Sequence, residues 1–255
     1  MLGYVVAALV GGLLGMVVNV LADRLPRFRM TPRSAETPAE APEPEGESTP
    51  SAGGGHHPAR VVGVVLFMAL ATAYLWGREG LTPLTGILIF YVALFLLIAV
   101  IDIEHRLVLN VVMLPAFVIA LIEVALSGRI ALRDGLVGYA IGQIVVMGIY
   151  LLGGVYLWIV NTARHEPVRE IPFGFGDVTL ATFCGLVVGS PGIVVVLVLM
   201  ILLGGLIALL YIGYRLVVAR QYKAHTPVPY GPSIVLAATI MLLWGEQVTA
   251  WITGG

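Results

Sequence analysis

Long apolar runs constrain the fold of this chain more than any other feature of its sequence. The run from Leu84 to Ile101 contains no charged residue, and an α-helix needs ~20 residues to cross ~30 Å of hydrocarbon. The runs are continuously apolar rather than alternating, which indicates helices and not barrel strands. Only 11% of the 255 residues are charged, against about 25% in soluble domains. We therefore predict an all-α, polytopic membrane helical bundle.

Polar breaks divide the apolar residues into about eight predicted transmembrane helices. The sixth is short, and the tight break Gly189-Ser190-Pro191-Gly192 follows it, which favours one helical hairpin of spans six and seven with its tip inside the far leaflet. The approximate spans are Leu2 to Leu21, Val61 to Trp76, Leu84 to Ile101, Val111 to Leu126, Gly135 to Val160, Val178 to Val188, Ile193 to Leu216 and Ile234 to Trp244.

The chain is predicted to have three parts. Residues 1–22 form the first transmembrane helix, which lacks the basic start and small-residue cleavage site of a signal peptide and is expected to stay in place. Residues 23–60 form a disordered cytoplasmic loop, because their Pro-, Glu-, Ala- and Gly-rich composition cannot bury a core. Residues 61–255 form a seven-helix domain that carries the candidate site.

The basic residues predict the orientation, because Lys and Arg are concentrated in cytoplasmic loops while acidic residues carry little weight. Eight spans place both termini on one side, and that side holds only Arg78, Arg129 and Arg133. We therefore expect both termini outside and the basic loops in the cytoplasm, near anionic lipid. The remaining eleven of the fourteen basic residues lie on the cytoplasmic side: Arg24, Arg27, Arg29, Arg33, Arg60, Arg106, Arg164, Arg169, Arg215, Arg220 and Lys223.

Composition also excludes several classes of function. The net charge of −1 provides no basic field for nucleic acid. Cys184 is the only cysteine, so neither an internal disulfide nor a multi-cysteine zinc site is available, and it is expected to be a small packing residue. The adjacent pair His56-His57 is a poor metal site without further fixed ligands. We predict no metal.

Two aspartates stand out because both fall at the predicted cytoplasmic boundary. Asp102 ends the third apolar run and Asp177 opens the sixth, and ionisable groups beside hydrocarbon are costly unless paired, wetted or functional. Taken alone, each could be an ordinary helix-end residue. At a helix N-terminus the charge of Asp177 is favoured, whereas near a helix C-terminus that of Asp102 is disfavoured. This difference suits an acid/base pair, provided that the third helix ends near Asp102.

Residues near the aspartates are candidates for supporting roles. Without a Cβ, Gly174 and Gly176 let the backbone approach a substrate closely or adopt unusual φ values beside Asp177. Glu104 and His105 follow Asp102 and are either a solvated helix end or groups that tune its proton affinity and contact a peptide.

Glu123 differs from these residues because it lies inside the fourth run, toward the outer face. It is expected either to snorkel or to be paired, and it is too far from the cytoplasmic boundary to join the two aspartates.

Together these residues resemble the type IV prepilin peptidase family, whose intramembrane aspartyl site combines one Asp at a membrane boundary with a second in a GxGD motif. The matching positions are Asp102, in Asp102-Ile103-Glu104-His105, and Asp177, in Gly174-Phe175-Gly176-Asp177. The resemblance covers nearly the whole chain in the expected order. Two further similar segments are Asn19-Val20-Leu21-Ala22-Asp23-Arg24-Leu25-Pro26 and Val228-Pro229-Tyr230-Gly231-Pro232.

The resemblance implies an enzyme of the bacterial inner membrane that removes the leader of type IV prepilins or pseudopilins at the cytoplasmic face. Asp102 and Asp177 would be the catalytic residues, and proteolysis would need no metal or cofactor. The implied partners are these pilin-like substrates and membrane lipid. Many members also methylate the new N-terminus, so S-adenosylmethionine would be a cofactor only if that activity is retained.

Two departures from the family pattern matter. The 23–60 loop has no cysteine, whereas bifunctional members carry a tetracysteine zinc site there, so zinc binding is not expected and methyl transfer is in doubt. Members often have Pro-Asp where this chain has Leu109-Asn110.

Other classes of function remain open on the sequence alone. A proton-coupled transporter could use Asp102 and Asp177 as a proton relay, although such proteins usually place ionisable residues near the midplane and show repeated halves. An inactive relative that serves in assembly is a further alternative.

Overall fold

The fold consists of α-helices throughout the described part of the chain. The computed structural model describes residues 1–26, 58–105, 107–163, 174–214 and 230–254. No strand occurs in these ranges, and the predicted all-α class is confirmed. The helices are α1 Leu2–Arg24, α2 Pro58–Glu79, α3 Pro83–His105, α4 Asn110–Ser127, α5 Leu132–Ala163, α6 Phe175–Val188, α7 Gly192–Tyr214 and α8 Gly231–Thr253.

The length and surface of these helices identify a multi-pass membrane protein. Seven of the helices within the described ranges are long and apolar enough to cross a membrane. Large apolar side chains such as Leu13, Leu70 and Leu202 are exposed along them, which a water-soluble monomer tolerates only in small patches. Helix α6 has 14 residues and is about 21 Å long, shorter than the hydrocarbon core.

Helix α8 extends further than the sequence predicts. The predicted end of the eighth span at Trp244 is wrong, because α8 continues to Thr253 through a kink at Trp244, where φ is −131°. The polar residues that follow Trp244 end the apolar run, but they do not interrupt the backbone hydrogen bonding of a helix. Residues 27–57, which make up most of the predicted 23–60 loop, lie outside the described residues.

Met1–Gly80 form one compact unit, in which small residues on α1 allow close contact with α2. A Cβ on Gly15 would lie 2.8 Å from the Cα of Val65, so only glycine permits this distance between the helices. Asn19 Nδ2 donates to the carbonyl oxygen of Gly15 at 3.0 Å. The helices are also joined by an ion pair between Arg60 and Asp23, at 2.7 Å.

Leu81–Gly255 form the second compact unit, and α6 is its centre. Helix α6 contacts α4, α5, α7 and α8, and α8 also contacts α3 and α7. Phe183 and Cys184 of α6 are fully buried, so the cysteine is a packing residue as predicted. Helix α6 approaches α5 backbone to backbone, because a Cβ on Gly185 would overlap the carbonyl oxygen of Gly138, and the reverse also holds.

A short connection joins α6 to α7, which gives the predicted hairpin. Helix α6 ends at Val188, and Gly189 adopts a φ of +76° that favours glycine. The N–H of Ser190 donates to the carbonyl oxygen of Asp134 at 3.0 Å. The tip of the hairpin is therefore tied to the start of α5.

Candidate active site

Asp102 lies in the last turn of α3 and is only 5% exposed. Its carboxyl group packs against the first residue of α8, because a Cβ on Gly231 would overlap Asp102 Oδ2. Helix N-termini carry partial positive charge and orient N–H groups outward. Asp102 therefore lies both at the C-terminal end of α3 and at the N-terminal end of α8.

Asp177 is the third residue of α6 and is half-buried. Gly174 occupies the N-cap position, and its N–H donates to Asp177 Oδ2 at 3.1 Å. The N–H of Asp177 in turn donates to the carbonyl oxygen of Gly174, also at 3.1 Å. These two bonds hold the carboxylate over the first turn of α6, in the way that an acidic residue at this position closes a capping box.

The structure brings the two aspartates to the same end of the second unit. Asp102 lies in the last turn of α3 and Asp177 in the first turn of α6, and the segment after α3 contacts the start of α6 through Val108 and Gly176. The α8 N-terminus adds positive potential beside Asp102, which the sequence argument did not include, and the assignment of acid and base stays a prediction.

The two glycines of the GxGD segment have different surroundings. Gly174 has a φ of −83°, so the unusual φ that glycine permits is not used there. A Cβ on Gly176 would lie 2.9 Å from the Cβ of Val108, which belongs to the segment after α3. The close approach that Gly176 allows is therefore between two parts of the chain, each next to an aspartate.

We expect the two glycines to differ in their tolerance of alanine. Gly176→Ala pushes Val108 away from α6 and is expected to lower activity at least about tenfold, because small misplacements of catalytic groups are costly. In Gly174→Ala the new Cβ meets Asp177 Oδ2 at 3.5 Å, an ordinary contact, and activity should change little. Rates measured at equal amounts of folded protein test this difference.

A second substitution makes this test specific. Replacing Val108 with glycine in the Gly176→Ala variant removes the atoms that the new Cβ meets and should restore part of the activity. Equal losses in Gly174→Ala and Gly176→Ala, or no effect of the Val108 change, would contradict the steric explanation.

The predicted neighbours of Asp102 lie on different sides of α3. His105 is half-buried and three residues from Asp102, which places it on the same face of the helix, whereas Glu104 is exposed and points elsewhere. A role for either residue stays a prediction.

Gly231 is a site residue that the sequence reasoning missed. The segment Tyr230-Gly231-Pro232 was noted only as a family-like entry to the last helix, and nothing in its spacing indicates a contact with Asp102. Its glycine before a proline at the start of a helix was the available signal, because a glycine there is not needed for the helix itself.

The donors for a metal centre are missing from this part of the molecule. Within the five described ranges no group of three or more His, Cys, Asp or Glu side chains is able to hold a metal ion. A tetracysteine zinc site does not fit this chain, because Cys184 is its only cysteine and is buried in α6.

Fold and site together define a class: a polytopic membrane helical bundle with two carboxyl groups at one end of a helical unit. The type IV leader peptidase family model matches residues 88–209, a stretch that contains both Asp102 and Asp177. Residues 88–209 are thus similar to that family, and the resemblance indicated by the sequence motifs is confirmed.

Curated relatives agree with the family assignment. The prepilin leader peptidase/N-methyltransferase of Aeromonas hydrophila is 27% identical over 191 residues, which are 75% of this chain and 57% of that protein. The protein of the same name from Pseudomonas aeruginosa is 28% identical over 186 residues, 73% of this chain and 59% of that protein. The chain thus matches less than two thirds of the length of these relatives. No solved structure matches the chain significantly.

Proposed function

We propose that this protein is an aspartic endopeptidase that removes the leader peptide of type IV prepilins or pseudopilins. The observation that carries the proposal is that Asp102, in the last turn of α3, and Asp177, in the first turn of α6, lie at one end of the helical unit, within the stretch that matches the leader peptidase family. The relatives are named prepilin leader peptidase/N-methyltransferase, and these names support the same substrate class.

The proposed mechanism is general acid/base hydrolysis by the two carboxyl groups. The ionised aspartate takes a proton from a water molecule as the water oxygen attacks the carbonyl carbon of the scissile amide. The protonated aspartate donates a hydrogen bond to the carbonyl oxygen, which stabilises the charge that develops there. The aspartate that took the proton from water then gives it to the departing amine as the carbonyl re-forms and the C–N bond breaks, and no acyl-enzyme forms.

Helix termini around the pair support this chemistry. The Gly174 N–H fixes the orientation of the Asp177 carboxylate, and the Gly231 backbone allows the Asp102 carboxyl group to approach the start of α8. The Asp177 carboxylate is thus held by a backbone N–H, which limits its motion and favours a fixed catalytic geometry.

The proposed location is the bacterial inner membrane, with the aspartates at the cytoplasmic face and both termini outside. The distribution of basic residues in the sequence supports this orientation. The substrate would be a pilin-like chain whose apolar N-terminal helix enters from the membrane.

Methyl transfer is not included in the proposal. The names of the relatives include N-methyltransferase, but this chain provides one cysteine, which is too few for a tetracysteine zinc site. The experiment described next would detect methylation as an added mass of the product.

Cleavage of a prepilin by the purified protein in lipid tests the proposal. The protein and a prepilin are reconstituted in bilayers, and the substrate is followed by mass spectrometry. A mass loss equal to the leader, absent without the protein, is the expected result. Intact substrate for several prepilins, together with proton flux across vesicles that depends on Asp102 and Asp177, would instead indicate the transporter alternative.

A further inference from the structure

A second group of polar side chains lies in the unit formed by Leu81–Gly255, away from the aspartates, and only Ser127 of the group is exposed. The Glu123 carboxylate accepts hydrogen bonds from Tyr91 at 2.8 Å and from Ser127 at 2.7 Å. Arg129 binds the same carboxylate through Nε and Nη2, both at 3.0 Å. We call Tyr91, Glu123, Ser127 and Arg129 the Glu123 cluster. The sequence left open whether Glu123 snorkels or is paired, and the structure shows that it is paired.

The Glu123 cluster connects three helices, α3, α4 and α6. Tyr91 belongs to α3, Glu123 and Ser127 belong to α4, and Arg129 follows α4. Arg129 Nη2 also donates to the carbonyl oxygen of Val187 in α6 at 2.9 Å. This carbonyl is one of the last four of α6, which have no partner within their own helix. Arg129 therefore caps α6 while it binds Glu123.

Tyr91, Glu123 and Arg129 of the cluster are well protected from solvent. The side chains of Arg129 and Glu123 are 13% and 9% exposed, and the guanidinium carbon of Arg129 lies 5.6 Å from the centre of the Tyr91 ring. Planar, bidentate pairing of this kind fixes orientation as well as distance. A simple topology anchor would keep its charge in the headgroup region.

The Glu123 cluster contacts α3 and α6 at one height along these helices, and Asp102 and Asp177 lie on the same two helices at another height. Asp102 follows Tyr91 by eleven residues along α3, and Val187 follows Asp177 by ten residues along α6. At 1.5 Å per residue these separations are about 16 and about 15 Å. Since α3 ends and α6 begins at the aspartates, the cluster ties the opposite portions of both helices at matching distances.

Aromatic rings next to the Glu123 cluster pack α3 and α4 against α6. The Phe183 ring of α6 lies 6.0 Å from Phe95 and 6.4 Å from Tyr91, both of α3. It also lies 5.3 Å from Phe117 of α4. Tyr91, Phe95 and Phe183 are fully buried. A shift of α6 at the cluster is therefore transmitted through close-packed rings toward Asp177.

We propose that Tyr91, Glu123 and Arg129 are positioning residues, which set the rotation and axial register of α6 against α3 and so hold Asp177 in place relative to Asp102. The inference deepens the proposed function and rests on it for its kinetic consequences. The geometric part of the inference, that these residues set the position of α6 against α3, does not depend on the proposed function and is tested separately.

The kinetic test uses Arg129→Gln with Arg133→Gln as the matched control. Arg133 is four residues further along and exposed, so the control makes the same change of charge outside the cluster. Arg129→Gln is expected to lower kcat for prepilin cleavage at least about tenfold with KM within about twofold, because it disturbs the reacting groups and not the substrate contacts. Wild-type kcat per folded protein in Arg129→Gln, or a loss confined to KM, would overturn the proposal.

Two further variants separate positioning from simple stabilisation. Tyr91→Phe removes one donor to Glu123 but keeps the ring, so it should fold and still reduce kcat severalfold. The charge swap Glu123→Arg with Arg129→Glu retains an ion pair but gives Val187 no donor from position 129. If Arg129 positions α6 through its bond to the Val187 carbonyl, the swap does not restore kcat. Full restoration of kcat would mean that an ion pair of either polarity is sufficient, and it would overturn the role of that bond.

The geometric test does not require activity. Asp102→Cys and Asp177→Cys are combined with Cys184→Ala, and thiol-reactive cross-linkers of increasing length are applied in membranes. The Arg129→Gln change should broaden the range of linker lengths that react, and Arg133→Gln should not. An unchanged length profile in Arg129→Gln overturns the positioning role. If the wild type cleaves no prepilin while Arg129→Gln alters the profile, only the proposed protease function fails.

Discussion

Asp102→Asn and Asp177→Asn are each expected to lower the rate of prepilin cleavage by about 10²- to 10⁴-fold, the range that general acid/base groups contribute. Asparagine keeps the size of the side chain and much of its hydrogen bonding, but it neither accepts a proton from water nor donates one to an amine. The rates are measured by mass spectrometry with equal amounts of folded protein in lipid.

Asp134→Asn is the matched control for these two variants. Asp134 lies in the first turn of α5 and is exposed, so it shares with Asp177 a position near a helix start but is remote from the pair. Its replacement should leave cleavage unchanged. Near-wild-type cleavage by either Asp102→Asn or Asp177→Asn would remove that residue from the mechanism.

Gly231→Ala should have the next largest effect, a loss of about 10²-fold or more, because displacement of a catalytic group by about 1 Å is enough to cause it. The alanine Cβ would overlap Asp102 Oδ2, so the carboxyl group or the start of α8 has to move. Overpacking of this kind also costs about 1–3 kcal/mol of stability. Cleavage rate and thermal unfolding are therefore measured on the same sample.

Gly245→Ala provides the comparison within the same helix. Its Cβ would meet only the mobile end of Met241, at 3.6 Å, so neither cleavage nor unfolding temperature should change much. A Gly231→Ala protein that unfolds like the wild type and cleaves at a normal rate would show that the contact between Asp102 and α8 does not matter for function.

Helix positions were largely predictable from the sequence. Each of the eight helices in the described ranges begins within three residues of its predicted start, because the apolar run defines the part of a helix that must lie in hydrocarbon. The helices extend beyond these runs, since intrahelical hydrogen bonds continue past the apolar stretch. Helix α8 is the extreme example, with nine residues beyond Trp244.

The candidate site was predictable only in part. Asp102 and Asp177 stood out because carboxyl groups at a membrane boundary are costly, but their proximity depends on how α3 and α6 pack. The contact between Asp102 and Gly231 joins residues 129 positions apart, and no local pattern specifies it. From the sequence, Arg129 contributed only to the prediction of membrane orientation. Its bond to the Val187 carbonyl could not be predicted, because it exists only after α4 and α6 are assembled.

The rate of prepilin cleavage by the Asp102→Asn/Asp177→Asn double variant, relative to the two single variants, tests the catalytic pair most directly. Groups that act as one unit are strongly non-additive. A shared water-activating pair predicts that the double variant cleaves about as slowly as the slower single variant, at a rate that remains measurable. Losses that multiply to the product of the single effects would contradict a joint role for Asp102 and Asp177.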